Sequence, residues 1–103
     1  MRMLLKVTLP VEAANNAVKS GTMPKLMEQF MADLKPEASY FLPENGKRTM
    51  FIFFDLKDPS QIPEIVEPLF MELNAAVELT PAMSADDLRK GLQAAHAKYG
   101  RRG

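Results

Sequence analysis

Lys6 and Glu78 are residues whose types suit proton chemistry if the fold makes them neighbours. An ammonium beside a carboxylate, with Tyr40 or Asp55 close by, forms an acid/base couple once a subunit boundary strips away water. The competing reading is an ion pair that fixes strand register at an interface. His96 is the only histidine. Its chemical readings are a general base or an axial haem ligand, and its plainer reading is a solvated surface residue. Met27 and Met31, with Met23, recur every fourth position, a stripe that lines an adaptable pocket or fills a core.

Other chemistries find no residues. The chain has no cysteine, which removes disulfides, thiolate ligands and a thiol nucleophile. One histidine with no spaced carboxylate cluster gives no metal site, and no cofactor is implied. The five glycines stand apart, at 21, 46, 91, 100 and 103, and build no phosphate-cradling loop. The 13 basic and 13 acidic residues cancel, so no net charge favours nucleic acid or an anionic membrane. No run approaches the roughly 18 apolar residues of a membrane span. The opening "MRMLLKVTL" is broken by Lys6 and Thr8 and reads as a strand rather than a leader. A soluble cytoplasmic protein is expected.

The elements that must position these residues follow from periodicity. Met3, Leu5, Val7 and Leu9 alternate with Arg2, Leu4, Lys6 and Thr8, a half-buried strand stopped by Pro10. From Val11 to Leu34 the spacing is helical, broken at Gly21, with Thr22 placed to cap the second piece. Ala38–Leu42 and Arg48–Leu56 flank Asn45-Gly46, the pair that demands a two-residue hairpin turn. Asp58-Pro59-Ser60 opens a helix that Pro68 should kink or shorten. Residues 75–80 form a short strand, and Ser84 with Asp87 caps a last helix ending at Tyr99. The order β-α-β-β-α-β plus a helix is the ferredoxin-like arrangement. It predicts one α+β domain over residues 1–99, a tail at 100–103, and central strands 1 and 3 running parallel. Both main helices should lie on one face of the sheet.

The turn fixes which side chains share a face. Glu44 should oppose Lys47, Leu42 Thr49, Tyr40 Phe51, and Ala38 Phe53. Phe41, Met50, Ile52, Phe54 and Leu56 then go to the helices. The face left open carries Leu4, Lys6, Thr8, Tyr40, Leu42, Thr49, Phe51, Phe53, Asp55, Glu78 and Thr80. It is too apolar for water and too charged for a plain core. Such a surface suits a subunit interface or a ligand cleft, with Phe51 and Phe53 as candidate ligand contacts on it and Met27 and Met31 as candidates on the helix stripe.

The element order and the two-sided hydrophobicity of "TMFIFFDL" resemble the dimeric α+β barrel superfamily, whose members pair two ferredoxin-like sheets face to face. Within it, "EPLFMELNAAVELTPAMSADDL" (67–88) is similar to small bacterial proteins. It also resembles the tail of muconolactone isomerase, where a Pro-Leu-Phe step precedes a short strand with an acidic residue. That enzyme's segment between first helix and second strand is rich in Trp, Arg and His. The corresponding "DLKPEASYF" holds none of them, so isomerase activity does not carry over. The resemblance implies a homodimer through the open face.

Two function classes follow. One is a homodimeric protein that binds a small apolar or aromatic molecule or acts as an interaction module. The other is a cofactor-independent enzyme of isomerase or monooxygenase type.

Overall fold

The computed structural model describes residues 1–100, so the expected tail lies, beyond Gly100, outside the described residues. The elements are β1 (Arg2–Thr8), α1 (Val11–Ser20), α2 (Thr22–Leu34), β2 (Ala38–Glu44), β3 (Lys47–Asp55), α3 (Ile62–Leu73), β4 (Ala76–Pro81) and α4 (Ala85–Tyr99), with a 3-10 turn at Pro59–Gln61 before α3. The result is an α+β protein with one four-stranded sheet in the order β2-β3-β1-β4.

The hairpin has the expected register: Glu44 opposes Lys47, Leu42 Thr49, Tyr40 Phe51, and Ala38 Phe53. Asn45 and Gly46 both take positive φ, at 54° and 76°. That is the backbone a two-residue primed turn requires. β1 and β3 are central as expected, but they run antiparallel. The expectation of parallel central strands overlooked one reversal. The α1–α2 crossover returns β2 parallel to β1, and the tight turn then reverses β3 between them.

All the helices that pack on the sheet take the same side. Met3, Leu5, Val7 and Leu9 of β1 and its end meet Met50, Ile52, Phe54 and Leu56. Ala14 and Ala17 of α1 and Leu69 and Leu73 of α3 cover them. The α2 stripe of Met23, Leu26, Met27, Phe30, Met31 and Leu34 packs against this core, as do Val77 and Leu79 of β4. Small alanines bring α1 close to the strands, and longer side chains fill the wider gap under α2.

Local chemistry explains the helix ends. Gly21 sits at φ 79° between α1 and α2, a conformation that costs glycine nothing. Gly21, rather than Thr22, is the N-cap of α2, and Thr22 instead bonds the Ser20 hydroxyl at 2.8 Å. Asp58 and Gln61 form a capping box ahead of α3, and Ser84 and Asp87 form one ahead of α4. Pro68 lies inside α3 without shortening it. It is exposed, so the carbonyl that loses its donor faces water.

α4 stands apart from the rest. None of its residues is buried, and Leu88 and Leu92 are 46% and 60% exposed. The radius of gyration is 17.3 Å, against about 13 Å for a compact chain of this length. The excess reflects a helix that projects from the sheet domain.

Candidate functional site

The sheet face away from the helices is built in cross-strand rows. Leu42, Thr49, Thr8 and Ala76 form one row; Tyr40, Phe51, Lys6 and Glu78 form the next. Ala38, Phe53, Leu4 and Thr80 follow, then Asp55 beside Arg2. Tyr40 and Leu42 are 62% and 42% exposed. Phe51, Phe53 and Leu4 are half-buried by their neighbours along the sheet alone.

Lys6 occupies the middle of this face. Its Nζ donates to Glu44 Oε1 at 3.0 Å and lies 3.8 Å from Glu78 Oε2. It also sits 5.7 Å from the centre of the Phe51 ring, within cation–π range. The hydrogen bond to Glu44 raises the Lys6 pKa above its ordinary value; desolvation opposes it, and the charges of Glu44 and Glu78 add smaller upward contributions. Sequence pairing placed Glu78 beside Lys6, and the strands do pair there. The nearer partner, Glu44, is two strands away. Thr49 lies between β1 and β2 on the same face and is only 2% exposed. The Lys6–Glu44 bridge passes over β3 at this point.

The other candidates are dispersed. Asp55 closes the end of β3, bonded to the N-terminal ammonium at 2.6 Å and to Lys57 Nζ at 3.0 Å. These two cations, the terminal ammonium first, hold its pKa at about 2. It is therefore a fixed anion, unsuited to proton transfer near neutral pH. His96 projects from α4 beside Leu92, Arg89 and Gln93, on an element that does not pack beside Lys6, Tyr40 or Glu78. The surface it lines belongs wholly to α4 and has no opposing wall.

The four candidate ligand contacts are not brought together. Met27 and Met31 face the helix-side core, and Phe51 and Phe53 lie on the opposite side of the sheet. A different concavity opens on the helix side, between α2, α3 and the end of β3. It has a volume of about 610 Å³, and Leu26, Phe30, Leu34, Phe54 and Ile65 line it. Lys35, Asp55, Lys57 and Glu64 stand among its polar residues. The helical spacing of Leu26, Phe30 and Leu34 marked them as core, and nothing in the sequence showed that α2 and α3 diverge above them.

Among the described residues no group of three or more His, Cys, Asp or Glu side chains is placed to hold a metal ion. No helix among them is long and apolar enough to cross a membrane. Compared with models of known protein families, with curated proteins and with solved structures, the chain matches none of them.

Proposed function

We propose that two copies of this chain close their bare sheet faces against each other, forming a homodimeric α+β barrel that acts as an interaction module. The observation that carries this reading is the helix-free face, where Leu4, Tyr40, Leu42, Phe51 and Phe53 lie without a covering layer. Burying one large side chain contributes roughly 1.5–3 kcal/mol, and a twofold contact uses every residue twice.

The topology supports a ferredoxin-like assignment. Read from the other edge, the strand order is 4-1-3-2, and each half, β1–α1–α2–β2 and β3–α3–β4, is a split βαβ unit. The sheet edges favour face-to-face association over edge pairing. Leu9 N bonds Arg48 O and Leu56 N bonds Met1 O, so the even residues of β3 serve β1 and its odd residues serve β2. Pro43 then faces outward on β2. Ala82 N bonds Arg2 O, which by the same alternation turns Pro81 outward on β4. A proline on each free edge removes a donor that an incoming strand would need.

Light scattering at micromolar concentration tests the reading. The wild type should have the mass of a dimer. Phe53→Asp places an unpaired charge in the contact and should give monomer or insoluble protein. A monodisperse wild-type monomer, or a Phe53→Asp variant that stays a stable dimer, overturns it.

The helix-side cleft favours a second activity of the same protein: holding a small apolar or aromatic molecule. Its volume of about 610 Å³ and its apolar wall with a few charged groups fit a ligand pocket. Native mass spectrometry of freshly purified protein should find added mass that Phe30→Arg abolishes. Identical spectra for both proteins overturn the ligand reading. An enzyme has less support, because Asp55 is an anion held in two ion pairs and His96 lies on a separate element.

A further inference from the structure

We infer that α4 is an arm given to the second copy: in the dimer its Leu88 and Leu92 stripe packs on the partner chain. The inference rests on the homodimer proposed above and adds the element that completes it. Three observations support it.

The first is where α4 begins. Arg2 alternates with buried Met3, so its side chain lies on the bare side of the sheet. Arg2 Nη1 is 3.9 Å from Asp87 Oδ2 in the first turn of α4. The helix therefore departs from the side that a second copy would occupy. A partner seated there meets α4 as a neighbour.

The second is the character of the helix. α4 has 15 residues, about 22 Å of helix, with a capping box that sets its start. Leu88 and Leu92 lie one turn apart on one face, with Ala85 beside them. None of these side chains is buried against its own sheet domain. A helix whose apolar stripe is exposed gains its stability from packing elsewhere.

The third is area. Tyr40, Leu42, Met83, Leu88 and Leu92 are 62%, 42%, 68%, 46% and 60% exposed. Taking about 200 Å² for a fully exposed large side chain, these five alone offer over 500 Å² per protomer. Counted on both copies, this passes the roughly 1,000 Å² that a specific interface requires. Without Leu88, Leu92 and the Met83 that leads to them, the exposed part falls to less than half.

Two measurements on the full chain test the arm. Leu88→Asp with Leu92→Asp should weaken the dimer at least tenfold in dilution by sedimentation equilibrium, with the helical circular dichroism of the isolated protomer retained. Amide exchange across 85–99 should slow only at concentrations where the dimer forms. If Phe53→Asp breaks the dimer but the double variant dissociates within twofold of wild type, the sheet interface stands and the arm is overturned. Protection of 85–99 that is the same at every concentration means that the helix folds on its own chain, and also overturns it. A wild type that is monomeric throughout overturns both readings together.

Discussion

Lys6 and Glu44 join β1 to β2 across the intervening strand, Nζ to Oε1 at 3.0 Å, above the buried side chain of Thr49. The pair ties the central strand to the outer one on the same face as Phe51 and Tyr40. Because Lys6 also lies within 4 Å of Glu78, one cation gathers three of the four strands.

This unequal sharing has a direct readout. The hydrogen bond that Lys6 donates to Glu44 is the main cause of the raised Lys6 pKa, and Glu78 contributes only through its charge. Glu44→Gln should lower the Lys6 pKa more than Glu78→Gln does, as followed by NMR titration of the side-chain ammonium. The reverse order would show that the geometric partner is not the electrostatic one.

The turn should be equally selective. Gly46 sits at φ 76°, and a Cβ there would meet nothing within 4 Å, so the cost of a larger residue is backbone strain alone. Gly46→Val should destabilise the protein by about 1 kcal/mol or more, measured as the urea midpoint. An unchanged midpoint would remove the basis for the hairpin register.

Asp55 sets a pH dependence. Its folded pKa of about 2 lies below the roughly 4 of an unfolded aspartate. Its contribution is therefore present above the unfolded value and is lost as the pH falls through about 2. Asp55→Asn should melt below the wild type at neutral pH, with the two melting curves converging in strong acid. A gap of constant size across that range would contradict the assignment.

His96 should prove quiet in the protomer. It projects from a helix with no buried residue. His96→Ala should change protomer stability by less than about 0.5 kcal/mol in chemical unfolding. A haem-type absorption band in the wild type that vanishes in the variant would restore the ligand reading of this residue.

Much of this was legible because two signals are purely local. Asn45-Gly46 sets the hairpin register, and alternation then sorts Met50, Ile52 and Phe54 from Thr49, Phe51 and Phe53. Strand direction was less legible, since it depends on counting reversals through a crossover and a hairpin together. Glu44 was on the correct face by parity, yet pairing rules look one strand away and a lysine side chain reaches two. The separation of Met27 and Met31 from Phe51 and Phe53 follows from the same sorting, because the helices take the face opposite the two phenylalanines. The cleft beneath Phe30 and Ile65 depends on the spacing between α2 and α3, which no periodicity encodes. The exposure of α4 is tertiary in the same sense: its stripe is visible in the sequence, and its lack of burial is not.

The place of β1 in the sheet also governs how the chain must be made. It is made before the other three strands of the sheet, and it is paired on both sides by strands that come later. Its partners in β4 follow 68 to 78 positions on, from Thr8 to Ala76 and from Met3 to Pro81. The β2–β3 hairpin can close as soon as it emerges, because its turn spans two residues. At roughly 5–20 residues per second of translation, the outer edge of β1 waits on the order of 3–15 seconds for β4. Through that interval Met3, Leu5, Val7 and Leu9 lack their finished surroundings, which the folded protein buries almost completely. The time for which the outer edge of β1 stays unpaired is thus set by the speed of synthesis.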